Sequence, residues 1–246
     1  MPDLIRLYCF PHAGATSTVF RHWVQPAAAR GLDVRGVDRP GRGARRGEPS
    51  ATDVADLVDS SARWVADDLD GADGGAPVPF AVFGHSFGTV VGLAVAARLA
   101  ASGRRPQHVL VSAGLPPARH SRDDLAAGLD DSALRDRVAV DGATPAVLLD
   151  GGPVTAMILS RFREDYRLRS GFPDLADLRT DMPLTVVAAD RDDWAPASAM
   201  RGWSAHTSGP VRELTVRGGH FAAVEDPAPV LDTLAAELRT AAGAVR

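Results

Sequence analysis

Gly84-His85-Ser86-Phe87-Gly88 places a serine between two glycines in G-x-S-x-G spacing. An apolar run, Phe80-Ala81-Val82-Phe83, leads into it, and a helix-forming run from Thr89 to Ala101 follows. A hydroxyl on such a strand–turn–helix hinge is presented as a nucleophile. The turn is strained, and the flanking positions lack side chains because the backbones must approach closely. The helix N-terminus beneath it favours developing negative charge. The bare spacing also arises by chance in structural turns, so the strand, turn and helix around Ser86 carry the reading.

A serine hydroxyl needs a base, and the base needs an orienting acid. With Ser86 first in the chain, the expected order is serine, acid, histidine. Of seven histidines, His206 and His220 lie well downstream. His206 ends a helical stretch, Ala199-Met200-Arg201-Gly202-Trp203-Ser204-Ala205-His206, whereas His220 follows an apolar run through Gly218-Gly219. The end of a strand is where parallel sheets present catalytic groups, so His220 is the expected base. Three carboxylates, Asp190, Asp192 and Asp193, follow the run 184–189. Asp192 at the tip of the turn is the expected acid, Asp190 the alternative, and Asp193 a cap or a solvent-facing residue. The other position open to an acid, after the run 107–113, holds Ser112-Ala113-Gly114-Leu115-Pro116 and no carboxylate.

An acyl-transfer site also needs two amide donors for the oxyanion. Phe87, next to the nucleophile, is one. The loop after the first strand, Phe10-Pro11-His12-Ala13-Gly14-Ala15, supplies the other from His12 or Ala13, with His12 favoured. The His12 and His85 side chains read as packing groups.

The elements that must position these residues are legible as an alternation. Apolar runs at 4–10, 32–37, 79–84, 107–113, 183–189 and 211–217 alternate with helical patterns at 17–30, 53–69, 87–101, 196–206 and 227–242. This rhythm predicts an α/β domain, residues 1–246, with a mostly parallel sheet of about six to seven strands flanked by helices. Pro26 is expected to break or kink the first helix. Residues 71–79 read as a surface loop. Residues 116–182 are too many for a simple crossover, and helical patterns at 121–138, 145–150 and 153–169 make them a lid insertion.

Composition narrows the chemistry. All 27 basic residues are arginine, which removes lysine Schiff bases, a pyridoxal-phosphate lysine and a Walker lysine. Cys9 is the one cysteine, so internal disulfides are excluded, and its apolar neighbours make it a buried thiol. A net charge of -4 argues against nucleic-acid binding, and no apolar run approaches a membrane span. With no leader pattern, a cytoplasmic monomer is expected.

The assembled motifs resemble the type II thioesterases of polyketide and nonribosomal peptide biosynthesis, on the α/β-hydrolase fold. The segments that carry the resemblance are Phe10-Pro11-His12-Ala13-Gly14, Phe20-Arg21-His22-Trp23, Arg39-Pro40-Gly41-Arg42-Gly43, Gly84-His85-Ser86-Phe87-Gly88, Met182-Pro183-Leu184 and Gly218-Gly219-His220-Phe221, with Trp203 after the acid loop. The resemblance implies hydrolysis of acyl thioesters borne on the phosphopantetheine of an acyl or peptidyl carrier protein. It implies no resident cofactor or metal, a Ser86–His220–Asp192 triad, and substrate contacts at Ala13 and Arg42. The arginines 39, 42, 45 and 46 are either a dock for an acidic carrier protein or internally paired with residues such as Glu48 and Asp38. Rival readings are a carboxylesterase acting on oxygen esters, a macrolactone-forming release enzyme, and a binding protein that kept the fold.

Overall fold

The computed structural model describes residues 4–71, 78–123, 125–142 and 144–244. Most of the expected surface loop, 72–77, lies outside the described residues. Six strands form one sheet: β1 (Ile5–Phe10), β2 (Leu32–Gly36), β3 (Phe80–His85), β4 (His108–Ser112), β5 (Leu184–Ala189) and β6 (Val211–Val216). Their order is β2-β1-β3-β4-β5-β6, and every neighbouring pair is parallel. The reversal of chain order at β1 and β3 leaves a crevice at their carboxyl ends, where ligands of such sheets bind. The central strands β3, β4 and β5 are buried along their whole length. That is why they read as continuous apolar runs rather than alternating ones.

Helices cover both faces. On one, α2 (Val54–Asp70) and α3 (Phe87–Ala101) pack with Tyr8, Val82 and Val111. Asp53 caps α2 by accepting the Asp56 amide at 2.8 Å. On the other, α8 (Ala228–Ala244) joins Phe20, Trp23 and Phe83.

The helical stretch expected at 17–30 is a 3-10 turn, Ser17–Trp23, followed by a short α1 (Val24–Ala28). Pro26 is tolerated because it sits in the first turn of α1, where amides have no intrahelical partner.

The expected insertion lies between β4 and β5. Its first helix is shorter than predicted. Leu125–Gly128 is a 3-10 turn, and α4 (Asp131–Asp141) starts only after Asp130, whose side chain accepts the Ala133 amide at 2.8 Å. Helix α5 (Gly152–Arg169) follows. Leu134, Val138, Leu149, Leu159, Phe162 and Tyr166 form a small core between these helices, separate from the sheet's two. The stretch 196–206 divides into α6 (Ala197–Met200) and a 3-10 turn, and α7 (Ala222–Glu225) precedes α8.

Candidate active site

Ser86 follows β3 and caps α3 with φ 54° and ψ −117°, a conformation an L-residue adopts only under constraint. The constraint is visible in its neighbours. The Ser86 amide donates to the Ser112 carbonyl at 2.8 Å, and its own carbonyl accepts from Thr89 Oγ1 at 2.6 Å. Gly88 is required for close approach, since a Cβ there would collide with the Phe10 carbonyl.

The loop after β6 brings His220 to the serine. His220 Nε2 lies 3.0 Å from Ser86 Oγ, and Nδ1 lies 2.8 Å from Asp192 Oδ2. The other carboxylate oxygen, Oδ1, accepts the amides of Trp194 at 2.9 Å and Ala195 at 3.1 Å. Burial alone would raise the Asp192 pKa. The hydrogen bond and charge of His220 and the amides of Ala195 and Trp194 outweigh it, so the group lies below its ordinary value. An ionised Asp192 only accepts, so Nδ1 carries the imidazole proton and Nε2 is left to accept from the Ser86 hydroxyl. Asp190 serves elsewhere, its Oδ1 accepting the Gly218 amide at 2.8 Å. Asp193 is exposed. His206 is remote from this group, bonded through Nδ1 to the Leu178 carbonyl at 2.8 Å.

The loop after β1 borders the serine, with His12 and Ala13 lining the same cavity as Ser86 and Phe87. Its next two amides are committed: Gly14 donates to Asp165 Oδ2 at 2.6 Å and Ala15 to the His12 carbonyl at 3.3 Å. The His12 carbonyl also receives Arg39 Nη2 at 3.2 Å. In a trans peptide the next amide points the opposite way, so this bond turns the Ala13 N–H away from Arg39. The expected second oxyanion donors, His12 and Ala13, thus both line the cavity, and the peptide that carries the Ala13 amide is the one pinned by Arg39.

The two extra histidines pack against the base. The His85 and His220 rings are 5.4 Å apart, those of His12 and His85 5.9 Å, and Phe221 touches all three. Burial, then the Arg39 charge and the repulsion that a protonated His220 would exert, pulls His12 down to about 3. Burial, then His220 and His12, holds His85 well below its ordinary value. Both are neutral near pH 7, as packing groups must be beside a base that gains a proton.

A cavity of about 450 Å³ opens from Ser86 beneath the insertion. Leu115, Leu125, Phe162 and Tyr166 give it an apolar side, and Arg119, Arg137 and Asp123 a polar one. The Arg137 guanidinium stacks 3.6 Å from the Trp194 ring centroid. Of the two expected substrate contacts, Ala13 lines this cavity and Arg42 is not among its lining residues. Arg42 is buried and bonded to Asp165 Oδ2 at 2.8 Å and Glu164 Oε2 at 2.9 Å. Arg39 is 2.9 Å from Asp165 Oδ2, and Arg45 is 2.6 Å from Glu48 Oε2. The basic cluster is therefore internally paired at three of its four positions, and only Arg46 is exposed. Asp38 also stays inside, accepting the amides of Ser17 at 2.6 Å and Ala44 at 2.9 Å. Trp203, matched after the acid loop, is fully buried and donates to the Gly114 carbonyl at 2.6 Å, bracing the turn beside Ser86.

Nothing in the local sequence marks Asp165. In Arg163-Glu164-Asp165-Tyr166 it reads as one more charge on a solvated helix face, yet it is fully buried. Among the described residues no cluster suited to a metal ion occurs, and no helix is long and apolar enough to cross a membrane.

The parallel sheet, the strained serine hinge and the Ser86–His220–Asp192 line define a class: an α/β-hydrolase-fold protein with a nucleophilic-serine site. Residues 5–238 match the family described as Thioesterase domain, and the chain belongs to that family. It is 32% identical over 219 residues to a "Probable cadicidin biosynthesis thioesterase" of Streptomyces griseus, a match covering 89% of this chain and 58% of the relative. The chain thus spans little more than half the length of that relative. Among solved structures, the prodiginine-pathway thioesterase RedJ of Streptomyces coelicolor superimposes with a TM-score of 0.82 at 28% identity, covering 95% of this chain and 90% of RedJ. BorB, the type II thioesterase of the borrelidin cluster, gives 0.81 at 28% identity, covering 97% and 94%.

Proposed function

We propose that this chain is a stand-alone type II thioesterase that hydrolyses acyl groups from the phosphopantetheine arm of a polyketide or nonribosomal peptide carrier protein, in editing or release. The observation that carries the chemistry is the unbroken line from Ser86 Oγ through His220 to Asp192, with links of 3.0 and 2.8 Å. The substrate class is supported by the thioesterase family match and by relatives such as BorB.

In this reading Ser86 Oγ attacks the thioester carbonyl as His220 Nε2 takes its proton. The new oxyanion is held by the amides of Phe87 and Ala13. The tetrahedral intermediate collapses, the C–S bond breaks, and His220 returns the proton to the pantetheine thiolate. Water then attacks the acyl-serine ester, giving its proton to His220. Collapse frees the acid and returns that proton to Ser86 Oγ. Asp192 stays ionised throughout and holds Nδ1–H in place.

Every group in these steps comes from one chain, so a monomer suffices, and no resident cofactor or metal is called for. The pantetheine belongs to the partner. A cytoplasmic location fits a partner of that kind. With three of its four arginines paired internally, the basic segment leaves Arg46 as its one candidate carrier contact.

The test is turnover of matched acyl substrates on a carrier protein, on free pantetheine-like thiols and as nitrophenyl esters, by wild type and Ser86→Ala. Preference for carrier-bound thioesters, abolished in the variant, supports the proposal. Preference for oxygen esters regardless of the carrier would make the chain a general esterase, and inactivity of both proteins would make it a binding protein.

A further inference from the structure

Three buried contacts join the insertion to the catalytic face at one carboxylate. Asp165, on α5, is fully buried. Its Oδ2 receives the Gly14 amide at 2.6 Å and Arg42 Nη1 at 2.8 Å, with Arg39 Nη2 at 2.9 Å. Arg39 Nη2 also donates to the carbonyls of His12 at 3.2 Å and Ala15 at 3.1 Å, on either side of Gly14. The same guanidinium lies 4.8 Å from the ring centroid of Phe87, whose amide is the other oxyanion donor. Gly14 has φ +76°, and a Cβ there would collide with Phe162, one turn before Asp165 on α5. The loop that offers the Ala13 amide is thus held between α5 and Arg39.

We infer that Asp165 and Arg39 are positioning residues for the oxyanion hole, so that the hole is complete only while α5 is seated against the loop 12–15. The inference rests on the hydrolase reading above and extends it, tying the insertion to the chemistry as well as to the shape of the cavity. The cause is geometric. A peptide plane whose carbonyl is pinned cannot rotate its amide away, and preorganised donors act because they need no reorganisation at the moment of reaction. Freed from Arg39, the 12–13 peptide can turn. Freed from Asp165, Arg39 is a buried cation that loses its partner and moves toward water.

The experiment compares Asp165→Asn, Arg39→Lys and Glu164→Gln with wild type. Asparagine keeps the shape of Asp165 without its charge. Lysine keeps the charge of Arg39 but cannot reach Asp165 and the His12 carbonyl together. Glu164→Gln touches only the half-exposed partner of Arg42 and serves as control. Two readouts are taken: kcat and KM on an acyl thioester, and the rate at which a nitrophenyl phosphonate labels Ser86. Losing one oxyanion donor costs ~10²–10³ in rate, so displacing one is expected to lower kcat about 10- to 100-fold. KM should stay within about threefold, phosphonate labelling should slow in parallel, and the control should match wild type. A purely structural role would lower thermal stability and leave both rates of the folded protein intact.

If Asp165→Asn does not fold, Arg39→Lys decides. Folded variants with kcat and labelling within about threefold of wild type would overturn the inference. If wild type labels with phosphonate yet hydrolyses no thioester, the thioesterase reading fails, and the labelling rates still test the positioning.

Discussion

Asp190 and Asp192, two residues apart on one turn, hold two points of the same histidine loop. Asp190 Oδ1 accepts the Gly218 amide at 2.8 Å, and Asp192 Oδ2 faces His220 Nδ1 at 2.8 Å. One carboxylate places the loop and the other orients the ring. Asp192→Asn should therefore lower kcat by about 10⁴, because the amide lets the imidazole take the wrong tautomer. Asp190→Asn keeps an acceptor for Gly218 and should cost less than about tenfold. Steady-state kinetics on the two variants separates the roles, and a larger loss at Asp190 would reverse the assignment.

Ser86→Ala removes the nucleophile and leaves the hinge. Turnover is expected to fall at least ~10³-fold, with substrate binding and the melting temperature close to wild type. Single-turnover assays should detect no acyl-enzyme. An acylated variant would place the nucleophile at another residue.

Gly88→Ala pushes a methyl group into the Phe10 carbonyl at the crossing of β1 and α3. Backbone cannot yield there as a side chain might. A loss of about 1–3 kcal/mol, or failure to fold, is expected from denaturant titration. An unchanged midpoint would mean that the hinge is looser than its geometry implies.

Acid should destabilise the fold before it denatures the surface. His85 is fully buried and its folded pKa is depressed by burial, then by His220 and His12, from an ordinary value of 6.5. A histidine held neutral in the fold binds more protons when unfolded, so stability falls as pH drops below that ordinary value. His12, pulled down to about 3, acts in the same direction over the window from 6.5 to about 3. Asp192, also depressed, adds stability above its unfolded pKa that is lost as pH falls through its folded one. Melting temperatures from pH 7 to pH 5 should decline, and less steeply in His85→Gln. Equal slopes would remove His85 from this account.

Much of this was legible in the chain, because local pattern and local chemistry coincide. Six runs became six parallel strands, and β3, β4 and β5 are apolar throughout because they are buried on both faces, whereas the edge strands β2 and β6 carry charged residues and are partly exposed. Ser86 and His220 were readable because each sits in a short segment whose shape depends on its own glycines. Asp192 stood out from Asp190 and Asp193 only by its place at the tip of a turn, and the structure gives those three aspartates three different surroundings.

Contacts between segments distant in sequence were not legible. Of the two readings of the arginine cluster, internal pairing holds for Arg39, Arg42 and Arg45, but only the Glu48 partner of Arg45 was local; Arg39 and Arg42 pair with Asp165 and Glu164, more than a hundred residues away. The pinning of the His12 carbonyl beside the serine depends on Arg39 from another loop. By itself the sequence determined the strand rhythm and singled out the serine and histidine that the fold brings within 3.0 Å, because periodicity and glycine placement act within a few residues. Only the tertiary structure decided which charges are buried together and which loop carbonyl Arg39 pins beside the serine. Burial and charge pairing arise between elements that meet only when the chain is folded.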